Sequence, residues 1–144
     1  MAIRIGIAAA LVAAAVVVAA IVERRNRTGQ PGAVPFTADG YGVHQVVRSD
    51  FARPDAPWLV VLFSSVDCGG CVEMAAKIAV LESDSVAVVV CEYTANRALH
   101  ERYAVDAVPL VVVADTDGVV RKSFLGSATA TDLWAAVAEA RESP

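Results

Sequence analysis

With 144 residues and a formal net charge of −4, this chain has room for one domain of ordinary size beside an apolar tract, and it offers no basic field for nucleic acid. Hydrophobic residues make up 56% of it, a share inflated by the Ala- and Val-rich N-terminus. No internal repeat or second domain is visible.

From Ile5 to Val22 the chain is an unbroken run of Ile, Ala, Leu and Val with one Gly. That is close to the roughly 20 apolar residues that span a bilayer. A cleaved secretory signal has a shorter apolar part, about 7 to 15 residues, ending at a small-x-small site. Here Ala13-Ala14-Ala15 would cut too early, Val18-Ala19-Ala20 is followed by more apolar chain, and no cysteine lies nearby for lipid attachment. The expectation is an uncleaved single-pass anchor in the cell membrane over residues 1–25, with the bilayer as its partner. Arg24, Arg25 and Arg27 after the span outnumber Arg4 before it, so the positive-inside rule points the rest of the chain to the cytoplasm; the difference is small, and an extracytoplasmic placement is the alternative. Residues 26–42, rich in Gly, Pro, Thr and Asn, read as a flexible linker, leaving 43–144 as the folded domain.

Trp58 to Phe63 is a short apolar run of β-branched and aromatic residues, read as a buried strand. Val72 to Leu81 carries apolar residues at helical spacing, with Val72, Ala75, Ala76, Ala79 and Val80 on or near one face. Cys68-Gly69-Gly70-Cys71 sits at the handover from strand to helix. Cys68 is expected at the helix N-terminus, where unpaired N–H groups and the positive end of the dipole stabilise a thiolate, with Cys71 one turn inside. This makes Cys68 the attacking thiol, Cys71 the resolving one, and dithiol–disulfide exchange the leading chemistry. Other readings of the pair are a structural disulfide and half of a metal site. A zinc site needs two further ligands, and beyond carboxylates only Cys91, His44 and His100 are on offer, none paired at ligand spacing. Covalent haem attachment requires His after the second cysteine, and position 72 is Val. Asp67 modulates the thiol pKa: a carboxylate at about 4 Å costs a thiolate on the order of 1 kcal/mol in water, opposing the dipole.

Ser85 or Val86 to Cys91 is a second continuous apolar strand, and Asn96 to Tyr103 a short helix. Val108-Pro109-Leu110-Val111-Val112-Val113 is a third strand with proline at its start, followed by the turn Asp115-Thr116-Asp117-Gly118 and a fourth strand, Val119 to Phe124. The turn starts like a calcium loop but lacks the later Glu. Gly126 breaks the pattern. Thr129-Ala130-Thr131-Asp132 resembles a capping box opening the last helix, which runs to about Arg141 with Leu133, Trp134 and Val137 as its buried face. Cys91, at the end of an apolar strand, is expected to be a buried inert thiol, and His44 and His100 to be surface or satisfied residues.

This order of elements resembles the thioredoxin-like family, in the form of a bacterial-type membrane-anchored thioredoxin-domain protein. It consists of a strand ending in Phe63, Cys68-x-x-Cys71 opening a helix, a second strand, a short helix, Ala107-Val108-Pro109, a hairpin, Gly126 and a final helix. The likeness covers about Val43 to Arg141. It implies an α/β fold, a central mixed sheet flanked by helices, in which Val43-His44-Gln45-Val46 is the opening strand and Asp50-Phe51 begins the first helix. It also implies that Pro109 is cis, and that the backbone at Val108 and Pro109 binds the substrate's extended chain. The implied activity is thiol–disulfide exchange with protein substrates and an external electron donor or acceptor, with no metal or bound cofactor. Many membrane-tethered members in bacteria face outward. The chain departs from the family in having Asp67 before the first cysteine, Gly69-Gly70 between the two, Leu62 where a buried acid is usual and Val90 where its lysine partner is usual. A binding or assembly module that holds a peptide without turnover is the reading from another class.

Overall fold

Alternation along the strands decides the architecture. In the computed structural model, which describes residues 34–36 and 42–142, β2 (Trp58–Ser64) turns Val60 and Leu62 to one face of a sheet and Leu59, Val61 and Phe63 to the other, all fully buried. β3 (Val86–Glu92) and β4 (Leu110–Ala114) alternate in the same way. Strands covered on both faces read as continuous apolar runs, which is why these segments stand out in the sequence. The sheet is completed by β1 (Val34–Phe36) and β5 (Val120–Leu125) in the order β1-β5-β4-β2-β3. β2 and β3 are parallel, while β4 is antiparallel to β2 and β5 to β4, giving the mixed sheet expected.

Two helices cover one face. α1 (Cys71–Ala79) and α3 (Ala130–Glu142) pack Met74, Ile78, Leu133, Ala136, Val137 and Ala140 onto Val60, Leu62, Val111 and Val113. On the other face α2 (Arg97–Arg102) and the 3-10 turn Arg48–Asp50 belong to the side where Val43, Val46, Phe51, Leu99 and Tyr103 pack. α3 opens with the expected capping box: the Asp132 N–H donates to Thr129 Oγ1 (3.1 Å) and the Thr129 N–H to Asp132 Oδ2 (3.2 Å).

Several sequence expectations need correction. Val43–Val46 is not a strand: it docks beside the β4–β5 turn, where Gln45 makes an isolated bridge with Val119, the Val46 N–H donates to Gly118 O (2.8 Å) and the Val120 N–H to His44 O (3.0 Å). The Gln45 side chain also donates to Asp117 O (2.6 Å). These contacts hold the segment at the turn, and Gly118 makes the approach possible. At φ 77° a Cβ on Gly118 would lie 1.9 Å from Val46 O. The first described strand is instead Val34–Phe36, paired antiparallel with β5 and lying within the stretch read as a linker. Asp50–Phe51 begins no α-helix; only the 3-10 turn forms there.

The buried face of α1 is Cys71, Met74 and Ile78, not the Val72/Ala75/Ala76/Ala79/Val80 face, and Val72 is 82% exposed. Inward-facing Cys71 sets the helix phase, so the residues three and seven positions on follow it inside. Trp134 is likewise exposed, because Leu133, Ala136, Val137 and Ala140 take the inner face. Among the described residues no helix is long and apolar enough to cross a membrane. The run expected to do so, residues 5–22, lies outside them.

Candidate active site

β2 delivers the chain to the site. After Ser64, buried at its end, residues 65–68 form a turn in which the Cys68 N–H donates to Ser65 O (3.1 Å) and the Asp67 N–H to Ser65 Oγ (3.4 Å). Cys68 and Cys71 are joined as a disulfide, with S–S 2.09 Å, a torsion of 84° and Cα–Cα 5.4 Å, inside the ordinary range for such a bond. Cys71 is 4% exposed, whereas Cys68 is only half-buried, so Cys68 is the more solvent-accessible residue of the pair. The helix starts later than expected. Its first residue is Cys71, and Cys68 lies in the preceding turn, tied by the Cys71 N–H to Cys68 O (3.2 Å). Cys68 therefore faces the positive end of the dipole from outside the helix, with Glu73 of the first turn paired to Lys77 (2.7 Å).

Two more loops meet this turn at the same end of the sheet. The Val108–Pro109 bond is cis, and Pro109 leads into Leu110, which pairs with Phe63 at the end of β2. The Gly126 N–H donates to Pro109 O (2.8 Å), and the next residue, Ser127, sits so close to Gly70 that a Cβ there would meet Ser127 Oγ at 3.9 Å. Gly126, bonded to Pro109, thus brings Ser127 alongside the cysteine turn. Asp67 is exposed, so solvent screens its carboxylate and its influence on Cys68 belongs to the weak end of the range expected.

No protein-family profile and no curated protein matches the sequence. Solved structures do match. The germline-specific thioredoxin Deadhead of Drosophila melanogaster superposes with a TM-score of 0.54 at 23% identity, over 69% of this chain and 98% of that one. Mitochondrial thioredoxin 3 of Saccharomyces cerevisiae, in its oxidised form, gives 0.51 at 22% identity, over 60% and 81%. A point-mutant thioredoxin from Halobacterium salinarum gives 0.52 at 25%, over 63% and 80%. The fold is thioredoxin-like.

Within this thioredoxin-like fold the two replaced positions are accounted for. Leu62 is fully buried in the same apolar cluster as Met74 and Ile78, so no acid lies at that point beneath the helix, and Val90 is 47% exposed. Cys91 is buried, and burial pushes its thiol up to about 11. His100 is satisfied: its Nε2 lies 2.9 Å from Cys91 O and its ring is packed edge-on by Phe63 and Tyr93. The Asp115 carboxylate is committed to the β4–β5 turn, accepting from the Asp117 and Val119 N–H groups (3.0 and 2.9 Å) and from Arg121 Nε (2.8 Å). Among the described residues no group of three or more His, Cys, Asp or Glu is placed to hold a metal ion.

Sequence reasoning overlooked two residues of the site, Ser127 and Glu92. The only cue for Ser127 is its place after Gly126, which turns the chain at φ 88°. Glu92 had a clearer one, a lone carboxylate closing an otherwise apolar strand. It is paired in register with Ser64, and its Oε2 accepts the Ala95 N–H at 3.0 Å.

Proposed function

We propose that this protein is a membrane-tethered thiol–disulfide oxidoreductase acting on protein substrates through Cys68 and Cys71. The observation that carries the reading is a half-buried Cys68 bonded to a buried Cys71 at the end of β2, at the sheet end where the cis Val108–Pro109 loop also lies. In the reduced protein the Cys68 thiolate attacks one sulfur of a substrate disulfide. The substrate S–S bond breaks, one substrate sulfur leaves as a thiolate that takes a proton from solvent, and Cys68 becomes a mixed disulfide. The backbone at Val108 and Pro109 holds the substrate chain alongside. Cys71 then gives up its proton and attacks Cys68, the second substrate thiol departs, and two electrons have passed from the dithiol to the substrate. An external dithiol restores the reduced pair. No bound metal or cofactor enters these steps. With Leu62 at the usual acid position, the proton from Cys71 goes to water.

Residues 1–25 serve as the anchor and the domain faces the cytoplasm, a reading supported by the apolar length of 5–22 and by Arg24, Arg25 and Arg27 against Arg4. A reporter fused after Pro144 tests this, and activity only outside the cytoplasm would reverse it. The activity itself is tested by mixing the reduced full chain in detergent with a small protein disulfide and counting thiols. Two substrate thiols should appear per Cys68–Cys71 disulfide formed; no loss of substrate disulfide would overturn the reading.

A further inference from the structure

β3 closes the sheet on one side, and among the described residues no strand pairs with its outer edge. The Trp58 N–H donates to Ser85 O (3.0 Å) and the Tyr93 N–H to Ser64 O (2.8 Å), so odd-numbered residues turn their backbone groups to β2. Val86, Val88, Val90 and Glu92 turn theirs away. Both ends of this edge are capped. Val86 exchanges hydrogen bonds with Ser83 (3.1 and 3.2 Å), the Val88 N–H donates to Glu82 Oε2 (2.7 Å), and Glu92 O accepts from the Asn96 N–H (2.8 Å) and Nδ2 (3.2 Å). The middle is open: Val88 C=O, Val90 N–H, Val90 C=O and Glu92 N–H have no partner among the described residues. An apolar flank runs beside it. α1 lies over β2 and β3 and α3 over β4 and β5, and Lys77 reaches from α1 to Ala128 O (3.0 Å) on the α3 side. Val72 and Ala79 are on the opposite flank of α1, toward the free edge, next to half-buried Ala75. Val72 is 82% exposed and Val90 47%. The nearby charges are occupied, Glu73 by Lys77 (2.7 Å), Glu82 by Arg53, and Glu92 Oε2 by the Ala95 N–H (3.0 Å).

We propose that the protein pairs with a second copy of itself along β3, the two strands running antiparallel about Val90 so that two sheets become one. In that register the Val90 N–H of each chain donates to the Val90 C=O of the other, and the Glu92 N–H of each to the other's Val88 C=O. These bonds use every open group on both edges. The Val88 N–H and Glu92 C=O, which would otherwise face each other across the same ladder, are the two groups already held by Glu82 and Asn96. The two-fold axis also brings the α1 flanks together on one face of the joined sheet, so Val72 and Ala79 gain cover along with Val90. An unrelated extended chain would satisfy the backbone groups alone; a second copy matches both the edge and the uncharged flank. Pairing of this kind accounts for the stripe Val72, Ala75, Ala76, Ala79 and Val80, apolar in sequence yet left largely exposed by a single chain. Because β2 and β3 are parallel, the two Cys68–Cys71 turns would lie toward opposite ends of the joined sheet.

The test is sedimentation equilibrium of the full-length chain in density-matched detergent, with a cross-link to locate the contact. The unmodified chain should dimerise. Val90→Lys, at an exposed edge position, sets two like charges against each other and should weaken the dimer about tenfold or more. Val90→Cys reads the same contact without relying on affinity. Directly opposed residues of a hydrogen-bonded antiparallel pair have Cα atoms about 5.5 Å apart, within disulfide reach, so mild oxidation should join two chains at position 90. Thr116→Cys, exposed in the β4–β5 turn at the other side of the sheet, should give no such link, peptide mass spectrometry identifying the joined positions. A monomeric parent chain would overturn the proposal and leave the edge to a foreign strand. A dimer that Val90→Lys leaves as tight as the parent, or no preference for a link at position 90 over position 116, would overturn it as well, placing the association in residues 1–25 or elsewhere on the domain.

Discussion

Cys68→Ser should lower the rate of disulfide exchange by about a thousandfold or more, because a hydroxyl can neither attack a disulfide as a thiolate nor form the mixed disulfide. The loss should exceed that of any other single side chain. Cys71 is 4% exposed and reaches a substrate sulfur only through Cys68, and Cys91, at 2% exposure, reaches none. Cys91→Ala should accordingly leave the exchange rate within about twofold of the parent, the thiol being both buried and, at about 11, protonated at neutral pH. Stopped-flow thiol release from a protein disulfide measures both. An equal rate in Cys68→Ser would move the chemistry away from this pair.

Arg48→Met should be the most damaging change to stability, at about 2–4 kcal/mol. Arg48 is only 9% exposed, and its guanidinium joins two separate pieces of backbone, donating from Nη1 to Asp115 O (3.0 Å) and from Nη2 to Ala56 O (2.7 Å) and Arg53 O (3.4 Å) of the 53–56 turn. Burial pulls its pKa down while Asp115 and Asp55 pull it back up, so the charge is kept in place by the carboxylates around it. Methionine preserves most of the stem and leaves the Ala56 carbonyl without its donor. For a domain of about 100 residues the loss corresponds to a fall in Tm of roughly 10–25 °C, to be read by circular dichroism. A fall of under about 3 °C would show that water replaces the guanidinium at little cost.

Arg48 also marks where the sequence stops being legible. The four strands from β2 to β5, the capping box at Thr129 and the cysteine turn are local signals, each written in a few consecutive residues, whereas the cis Val108–Pro109 bond is expected only from the family resemblance. The misplaced features depend on distant contacts. Whether Val43–Val46 joins the sheet is decided by contacts more than 70 positions away, where the carbonyls of Gly118 and Asp117 hold the segment at the β4–β5 turn and leave it a single bridge to Val119. The phase of α1 was lost because Val72, Ala75, Ala76, Ala79 and Val80 form as good an apolar stripe on paper as Cys71, Met74 and Ile78. Counting a cysteine as core would have recovered it, as free and bonded cysteines alike are among the most buried residues. Glu92 went unread because β3 pairing, not spacing, sets it beside Ser64.

The most direct test of exchange through this site is capture of its intermediate. Cys71→Ser, reduced and mixed with a disulfide-containing protein, should accumulate a covalent complex whose intact mass is the sum of the two chains, which dissolves in reductant and whose linked peptide contains Cys68. Adding Cys68→Ser should abolish it. No complex from Cys71→Ser, or an equal yield from the double variant, would contradict the account.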